Sequence, residues 1–508
     1  MSLSVKAFYQ NNKIPLLAAL ISALFSIIAY SNHNPLNYDG ILYLTVASTY
    51  LKSGFNAALA AYPWPFYSIL IAWISKLTHL SLQHTAEGLN NLFLMIVTVA
   101  FINLIKKIKD TPTLQIAAAI TILAFPALNH YRDLIVRDFG YWAFFLIALN
   151  QLLKYLQNPN WRHALTWMLS LLCATLFRIE GAILFMLTPF ALLLCPDQAF
   201  MQRLTNLIKL YCLPLLSLAL YLTWHHLHSP HTSAEIGRIS ELANQFTQGG
   251  HAILNNFQTK IALIKNNLPI YAAAGDAKNW LIFGFTGVFI QAVISTLSLL
   301  FTLLFIYAII KRLTPRANAT YAIAYVALIN IFIALAFFAQ NLFLSDRYLM
   351  ASCLVLIIWP VFSLEALYQQ WRQHNNRWPC WLVAIWLCLA AFGSVISFGY
   401  SKAYITEAGL WLKNNTPIQT TVYSNNKQLL FYSERTEIDW QNRYDDSNPL
   451  NTLQHVNWRT YNYLAIRIKH EDAQQETAII KLIGQNPSKI FANKRGDKVL
   501  IFKLQVGN

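Results

Sequence analysis

Apolar residues run along this chain in long blocks, with polar residues gathered between them. A hydrocarbon layer about 30 Å thick takes roughly 20 residues of helix to cross. On that basis the pattern predicts membrane segments at 14–30, 88–105, 113–128, 139–153, 164–177, 181–195, 210–224, 285–310, 318–340, 348–367 and 379–399. The pair at 164–177 and 181–195 is short, and reads either as two crossings or as a hairpin entering part way; the topology is the same in both cases. A further apolar stretch, 63–77, carries Pro63, Pro65 and interleaved Trp and Tyr, which suits a segment lying at the interface.

From about residue 400 the pattern changes. Residues 402–415 have helical spacing and stop at Asn414-Asn415-Thr416-Pro417. Residues 461–469 alternate as a strand, 472–484 read as a helix, and 489–492 with 498–504 frame Lys494-Arg495-Gly496-Asp497 as a hairpin turn. The chain therefore divides into a transmembrane part, 1–399, of about 11 membrane segments, and a small α/β domain, 400–508. No internal repeat is visible.

Composition sharpens this. The 508 residues would fill about three soluble domains by length alone. With 56% apolar and 12% charged residues and a mean hydropathy of +0.39, a soluble surface is excluded. The net charge of +16, from 38 Lys+Arg against 22 Asp+Glu, reads as cationic loops beside anionic lipid, with no nucleic-acid partner. The six cysteines sit in or beside apolar stretches, so no disulfide framework is indicated. The first block lacks a small-residue cleavage site and reads as an uncleaved span. Lys6, Lys13, Lys106, Lys107, Lys154 and Arg162 fall on one side when the N-terminus is cytoplasmic. The outer side then receives 31–87, 129–138, a loop near 225–284, 341–347 and the tail.

That outer side also collects the informative acids: Asn37-Tyr38-Asp39-Gly40, Tyr131-Arg132-Asp133 with Val136-Arg137-Asp138, Phe177-Arg178-Ile179-Glu180-Gly181, and Ser345-Asp346-Arg347-Tyr348. Charges near a bilayer are costly unless paired or facing a polar cavity. Taken singly, Asp39 reads first as a helix cap before a helix ending at Lys52-Ser53-Gly54. Arg137-Asp138 reads as a snorkelling pair, and Arg178 with Glu180 as a structural ion pair. Their gathering on one side points to a shared polar cavity.

In order and sidedness these motifs resemble the GT-C membrane glycosyltransferases, in particular the aminoarabinose-transferase and protein-mannosyltransferase-like enzymes. Asp39 ahead of a helix, followed by Tyr62-Pro63-Trp64-Pro65-Phe66-Tyr67, is similar to that family's first loop, and Arg137-Asp138 to its second acidic motif. Phe177-Arg178-Ile179-Glu180-Gly181 resembles its Thr-Arg-Pro-Glu-Gly, with Phe and Ile departing. Asp346-Arg347-Tyr348-Leu349 resembles its late Arg-Tyr element.

The resemblance implies an integral-membrane enzyme that moves a sugar, with inversion, from a polyprenyl-phosphate carrier to an acceptor hydroxyl on the periplasmic face of a bacterial inner membrane. The acceptor would be a lipid, a glycan or a protein. In this frame Asp39 is the base, since a carboxylate of pKa about 3.9 is ionised at neutral pH. Arg347, Arg137 and Arg178 are the donor-phosphate ligands, in that order. Asp138, or else Asp133, orients the acceptor or a divalent cation, with Glu180, Tyr348 and Tyr62 in support. The segment 64–73 would line a groove for the carrier's tail, or serve only as an interfacial anchor. Metal dependence stays open. The competing class is a transporter or lipid flippase, which would carry intramembrane charge and inverted repeats. A non-catalytic scaffold would leave the acid–arginine clusters without a purpose. His225-His226-Leu227-His228 with His231 fits no zinc spacing.

Overall fold

The structure is a computed structural model describing residues 2–32, 34–228, 238–267, 276–374, 377–396, 398–435 and 448–504. Its helices are Ser2–Tyr30 (α1), Tyr38–Ala61 (α2), Phe66–Thr78 (α3), Leu82–Ile108 (α4), Pro112–Ala124 (α5), Pro126–His130 (α6), Asp138–Gln157 (α7), Trp161–Phe177 (α8), Glu180–Leu187 (α9), Phe200–His228 (α10), Arg238–Asn267 (α11), Ala277–Leu297 (α12), Leu299–Ile310 (α13), Asn318–Asn341 (α14), Asp346–Leu356 (α15), Ile358–His374 (α16) and Trp378–Val395 (α17). In the tail, Ala403–Asn415 (α18), Lys427–Ser433 (α19), Pro449–His455 (α20) and Gln475–Ile483 (α21) accompany the strands Val422–Ser424 (β1), Tyr463–Ile468 (β2), Lys489–Ala492 (β3) and Lys498–Lys503 (β4).

The chain forms two compact units: Met1–Ser26, Thr49–Arg132 and Arg137–Val395 make the first, and Ile27–Ser48, Asp133–Val136 and Ile396–Asn508 the second. Among the described residues five helices are long and apolar enough to cross a membrane, or six if the bent pair α15 and α16 counts as one span. The protein is thus a multi-pass helical membrane protein with a small C-terminal sheet.

Within the first unit, fifteen of the twenty residues of α7 are buried. This helix is enclosed by its neighbours, with Phe139, Trp142 and Phe145 inside the bundle. Helix α17 is the opposite case: only Leu387, Ala391 and Val395 are buried, and Trp381, Leu389 and Phe392 are exposed, as on a lipid-facing helix. The 13 residues of α3 span about 20 Å, short of the hydrocarbon thickness.

Several segments differ from the sequence expectation. The 113–128 block is broken between α5 and α6 at Phe125, ahead of Pro126. The 285–310 block begins earlier and breaks at Ser298, whose φ of 67° ends α12 and opens α13. The 348–367 block bends by 46° between α15 and α16. Helix α2 runs past Gly54, which kinks it at φ 81° and ψ −170°, and ends at Ala61. The loop expected near 225–284 contains the 30-residue α11. Its mean hydropathy carries no membrane signal, but Ile239, Leu242, Phe246, Ile253, Phe257 and Ile261 recur at helical spacing. The side chains of His225, His226 and His228, and all of His231, lie outside the described residues.

In the second unit the sheet order is β1-β2-β4-β3, with β1 parallel to β2 and the other pairs antiparallel. Period-two alternation splits the burial between two faces. Ala465, Val499 and Ile501 pack with Ile405 and Leu412 of α18 and Leu429 of α19. Leu464, Ile466, Leu500 and Phe502 pack on the other face with Leu453 of α20 and Ile479 of α21. The sheet is therefore covered by helices on both sides.

Candidate functional site: a buried acid–arginine cluster

Helices α7, α9 and α15 each carry an acid in the first turn, Asp138, Glu180 and Asp346, where carboxylates complement the helix dipole. Arg178 lies between α8 and α9 in extended conformation. Its Nη1 donates to Asp138 Oδ1, its Nη2 to Glu180 Oε1, and its Nε to Glu180 Oε2 at 3.2 Å. The guanidinium lies 4.7 Å from the Tyr348 ring centre and 5.9 Å from that of Tyr141. Arg347 Nη1 stands 3.8 Å from the second oxygen of Asp138. Asp138 and Arg178 are buried and held by mutual pairing, while Glu180 and Arg347 at the edge of the cluster keep partial access to solvent.

Two glycines permit the close approach. A Cβ on Gly140 would come 2.4 Å from Phe177 Cε1, and one on Gly181 would come 2.6 Å from the Thr175 backbone nitrogen. The ring of Phe177 also packs against Phe66, Tyr67, Phe93 and Phe144 at centroid distances of 5.2 to 6.1 Å. An aromatic residue in the Phe177-Arg178-Ile179-Glu180-Gly181 motif therefore has a packing reason: it presses α8 against α7 and α4 beside Arg178.

Arg137 differs from Arg178. Its guanidinium lies 5.7 Å from the Tyr62 ring centre, and its Nη1 is buried without a hydrogen-bond partner in the structure. A buried donor left in this state calls for an acceptor. Trp64 Nε1 donates to the Leu176 carbonyl at 2.7 Å, and the 62% exposed Trp73 donates to the Tyr50 hydroxyl at 2.7 Å.

Asp39 and Asp133 belong to the second unit. There the Asn37 amide donates to the Ile135 carbonyl at 3.1 Å and accepts from the Ile135 N–H at 2.9 Å. Asn34 donates to Asp133 Oδ2 at 3.1 Å. The Leu36 N–H donates to the Tyr432 hydroxyl and its carbonyl accepts from Gln428, both partners lying on α19. Asp39 follows in the first turn of α2, half-buried.

Of the residues singled out in the sequence, Asp138, Arg178, Glu180, Arg347 and Tyr348 are brought together, and Arg137 pairs with Tyr62. Tyr141 was missed, although it sits one helical turn after Asp138 and so shares its face. Arg132 was also missed as a structural element. It is fully buried and donates to the Ser22 carbonyl and hydroxyl, the Ser26 hydroxyl and the Asn129 side-chain oxygen.

Among the described residues no group of three or more His, Cys, Asp or Glu side chains could hold a metal ion. The surroundings of Asp138 do not fit a divalent cation, because both its oxygens face guanidinium groups.

The fold is one that this chain shares with a solved oligosaccharyltransferase. No family model matches the chain, and no curated protein matches its sequence. Among solved structures, the oligosaccharyltransferase of Archaeoglobus fulgidus in complex with zinc and sulfate aligns with a TM-score of 0.50 at 15% identity, over 80% of this chain and 55% of that one. The present chain thus spans about half of that enzyme's length. The same protein tethered to an acceptor peptide containing the NVT sequon aligns at 0.49 and 13% identity, over 80% and 58%. ArnT from Cupriavidus metallidurans, bound to undecaprenyl phosphate, aligns at 0.42 and 11% identity over 98% of this chain and 99% of that one. The fold assignment rests on the first of these.

Proposed function

We propose that this protein is a membrane glycosyltransferase that moves a sugar from a polyprenyl-phosphate carrier to an acceptor hydroxyl on the periplasmic face of a bacterial inner membrane. The observation that carries this reading is the cluster of buried Asp138 and Arg178 with half-buried Glu180 and Arg347, together with the unsatisfied Arg137 Nη1. An inverting displacement forms the bond from acceptor oxygen to the anomeric carbon while the bond from that carbon to the phosphate oxygen breaks. Polyprenyl phosphate leaves with the electron pair, and a base takes the hydroxyl proton.

We assign the base to Asp39. Support comes from its place in the first turn of α2, next to a loop held at Asn37 and Leu36. Phosphate binding falls to Arg137 and Arg347. Arg178, with three nitrogens committed to two carboxylates, serves to position Asp138 and Tyr348. The acceptor is a lipid, glycan or protein hydroxyl.

The test is release of free polyprenyl phosphate from a panel of polyprenyl-phosphate sugars offered with simple acceptors to the purified protein. Asp39→Asn should abolish release while abundance and donor binding persist; retained turnover removes Asp39 from the base role. Arg137→Ala and Arg347→Ala should each weaken donor binding by about 10- to 100-fold, the range of a hydrogen bond to a charged group. Donor binding that survives both substitutions removes the arginines from phosphate recognition. If no donor binds or is turned over at all, transport of a lipid-linked substrate becomes the reading to test.

A further inference from the structure

The end of α7 away from Asp138 borders a second feature that the glycosyl-transfer reading does not use. A cavity of about 590 Å³ opens there between α1, α4 and α7. From Asp138 to Lys154 the helix rises about 24 Å, so the cavity and the acid–arginine cluster lie at opposite ends of one helix. One wall is apolar, formed by Leu16, Met95, Ile96 and Val99. The other carries Asn103, Lys107, Asn150 and Lys154, and no carboxylate is among the lining residues.

The polar wall is built rather than incidental. Asn150 is 6% exposed, and its amide donates to the Ala100 and Leu146 carbonyls at 2.8 and 2.9 Å. Its oxygen accepts from Lys107 Nζ at 2.5 Å, and the same ammonium donates to the Asn103 carbonyl at 3.1 Å. An ammonium has three N–H groups, so one is left for a ligand oxygen. Two lysines facing an apolar wall without a counter-charge call for an anion that carries its own apolar tails. Free phosphate would leave the wall formed by Leu16, Met95 and Val99 wet, and a zwitterionic headgroup would bring a third cation to the lysines.

We propose that this cavity is a binding site for an anionic phospholipid, its phosphate held by Lys107 and Lys154 and an acyl chain lying along α1 and α4. The experiment is native mass spectrometry of the full-length protein with phosphatidylglycerol, phosphatidylcholine or inorganic phosphate. The wild type should retain phosphatidylglycerol over phosphatidylcholine by about 30-fold, the preference expected of two interfacial lysines. The double variant Lys107→Gln/Lys154→Gln should lose that preference, and Lys154→Arg should keep it, which separates lost charge from misfolding. Val99→Trp, which fills the apolar wall, should weaken lipid retention. Equal retention of the two lipids by the wild type would overturn the proposal, as would a preference that survives in the double variant. Displacement of phosphatidylglycerol by equimolar inorganic phosphate would also overturn it and leave a simple anion site.

Discussion

Asn37 and Ile135, 98 residues apart, satisfy each other twice: the Asn37 side chain donates to the Ile135 carbonyl and accepts from its N–H. A side-chain amide imitates a strand partner here, clasping the two segments that precede α2 and α7. Because Leu36 is tied to Tyr432 and Gln428 of α19, the polar tail contributes to holding the loop that leads into Asp39. The catalytic role proposed for Asp39 therefore depends on residues almost 400 positions further along the chain.

Asn37→Ala removes both bonds and leaves the N–H and carbonyl of the fully buried Ile135 without them. An unsatisfied buried group costs about 1–3 kcal/mol. The Ile135 amide should exchange with solvent deuterium at least tenfold faster in the variant, while α18 and β4 keep their protection. Unchanged exchange at Ile135 would mean that the clasp does not hold the segment.

Breaking the Arg178 hub from one side should cost more than removing it from both. Arg178→Met leaves Asp138 and Glu180 facing each other without the charge between them, at about 3–5 kcal/mol. The triple variant Arg178→Met/Asp138→Asn/Glu180→Gln removes all three charges of the hub, leaves Arg347 with partial access to solvent, and should recover most of that stability. Thermal unfolding in detergent reads the difference, and equal midpoints for the two variants would show that burial of charge is not what makes the single change costly.

Gly140→Val places a side chain where the Phe177 ring already sits. Overpacking of this kind costs about 1–3 kcal/mol. Combining it with Phe177→Leu should restore part of the loss, because the smaller side chain vacates the contact. If the double variant melts lower than the sum of the single effects, the strain lies elsewhere.

The tail contains a pH-sensitive turn. Burial opposes ionisation of Asp497, but the His470 N–H at 3.0 Å, the Asn493 amide at 2.8 Å, and the nearby Arg495 and His470 side chains hold its carboxyl below the usual range. A depressed folded value means that this stabilisation is complete above the unfolded pKa of about 3.9 and is lost as the pH falls from there through the lower folded value. Wild type and Asp497→Asn should therefore differ in the stability of β3 and β4 at pH 6 and converge in strong acid. The check is hydrogen exchange of the full chain, corrected for intrinsic rates; a constant difference across that range would remove Asp497 as its source.

The sequence by itself determined what local composition can determine. Blocks of apolar residues marked most of the spans, because transfer of a helix into hydrocarbon depends on the segment's own side chains. Period-two alternation placed β2, β3 and β4, and Lys494-Arg495-Gly496-Asp497 placed their turn, with Gly496 at φ 100°. The acids and arginines of the cluster stood out because charge is scarce in such a chain. Their partners did not. Arg178 finds Glu180 two residues away, a neighbour the sequence could name, but it finds Asp138 forty residues back only because Gly140 lets α7 close on Phe177. The break at Ser298 and the helix α11 also escaped average hydropathy, the first being a single backbone torsion and the second a matter of period alone. Only the packed structure decided which charges face each other, since that depends on how helices distant in sequence meet.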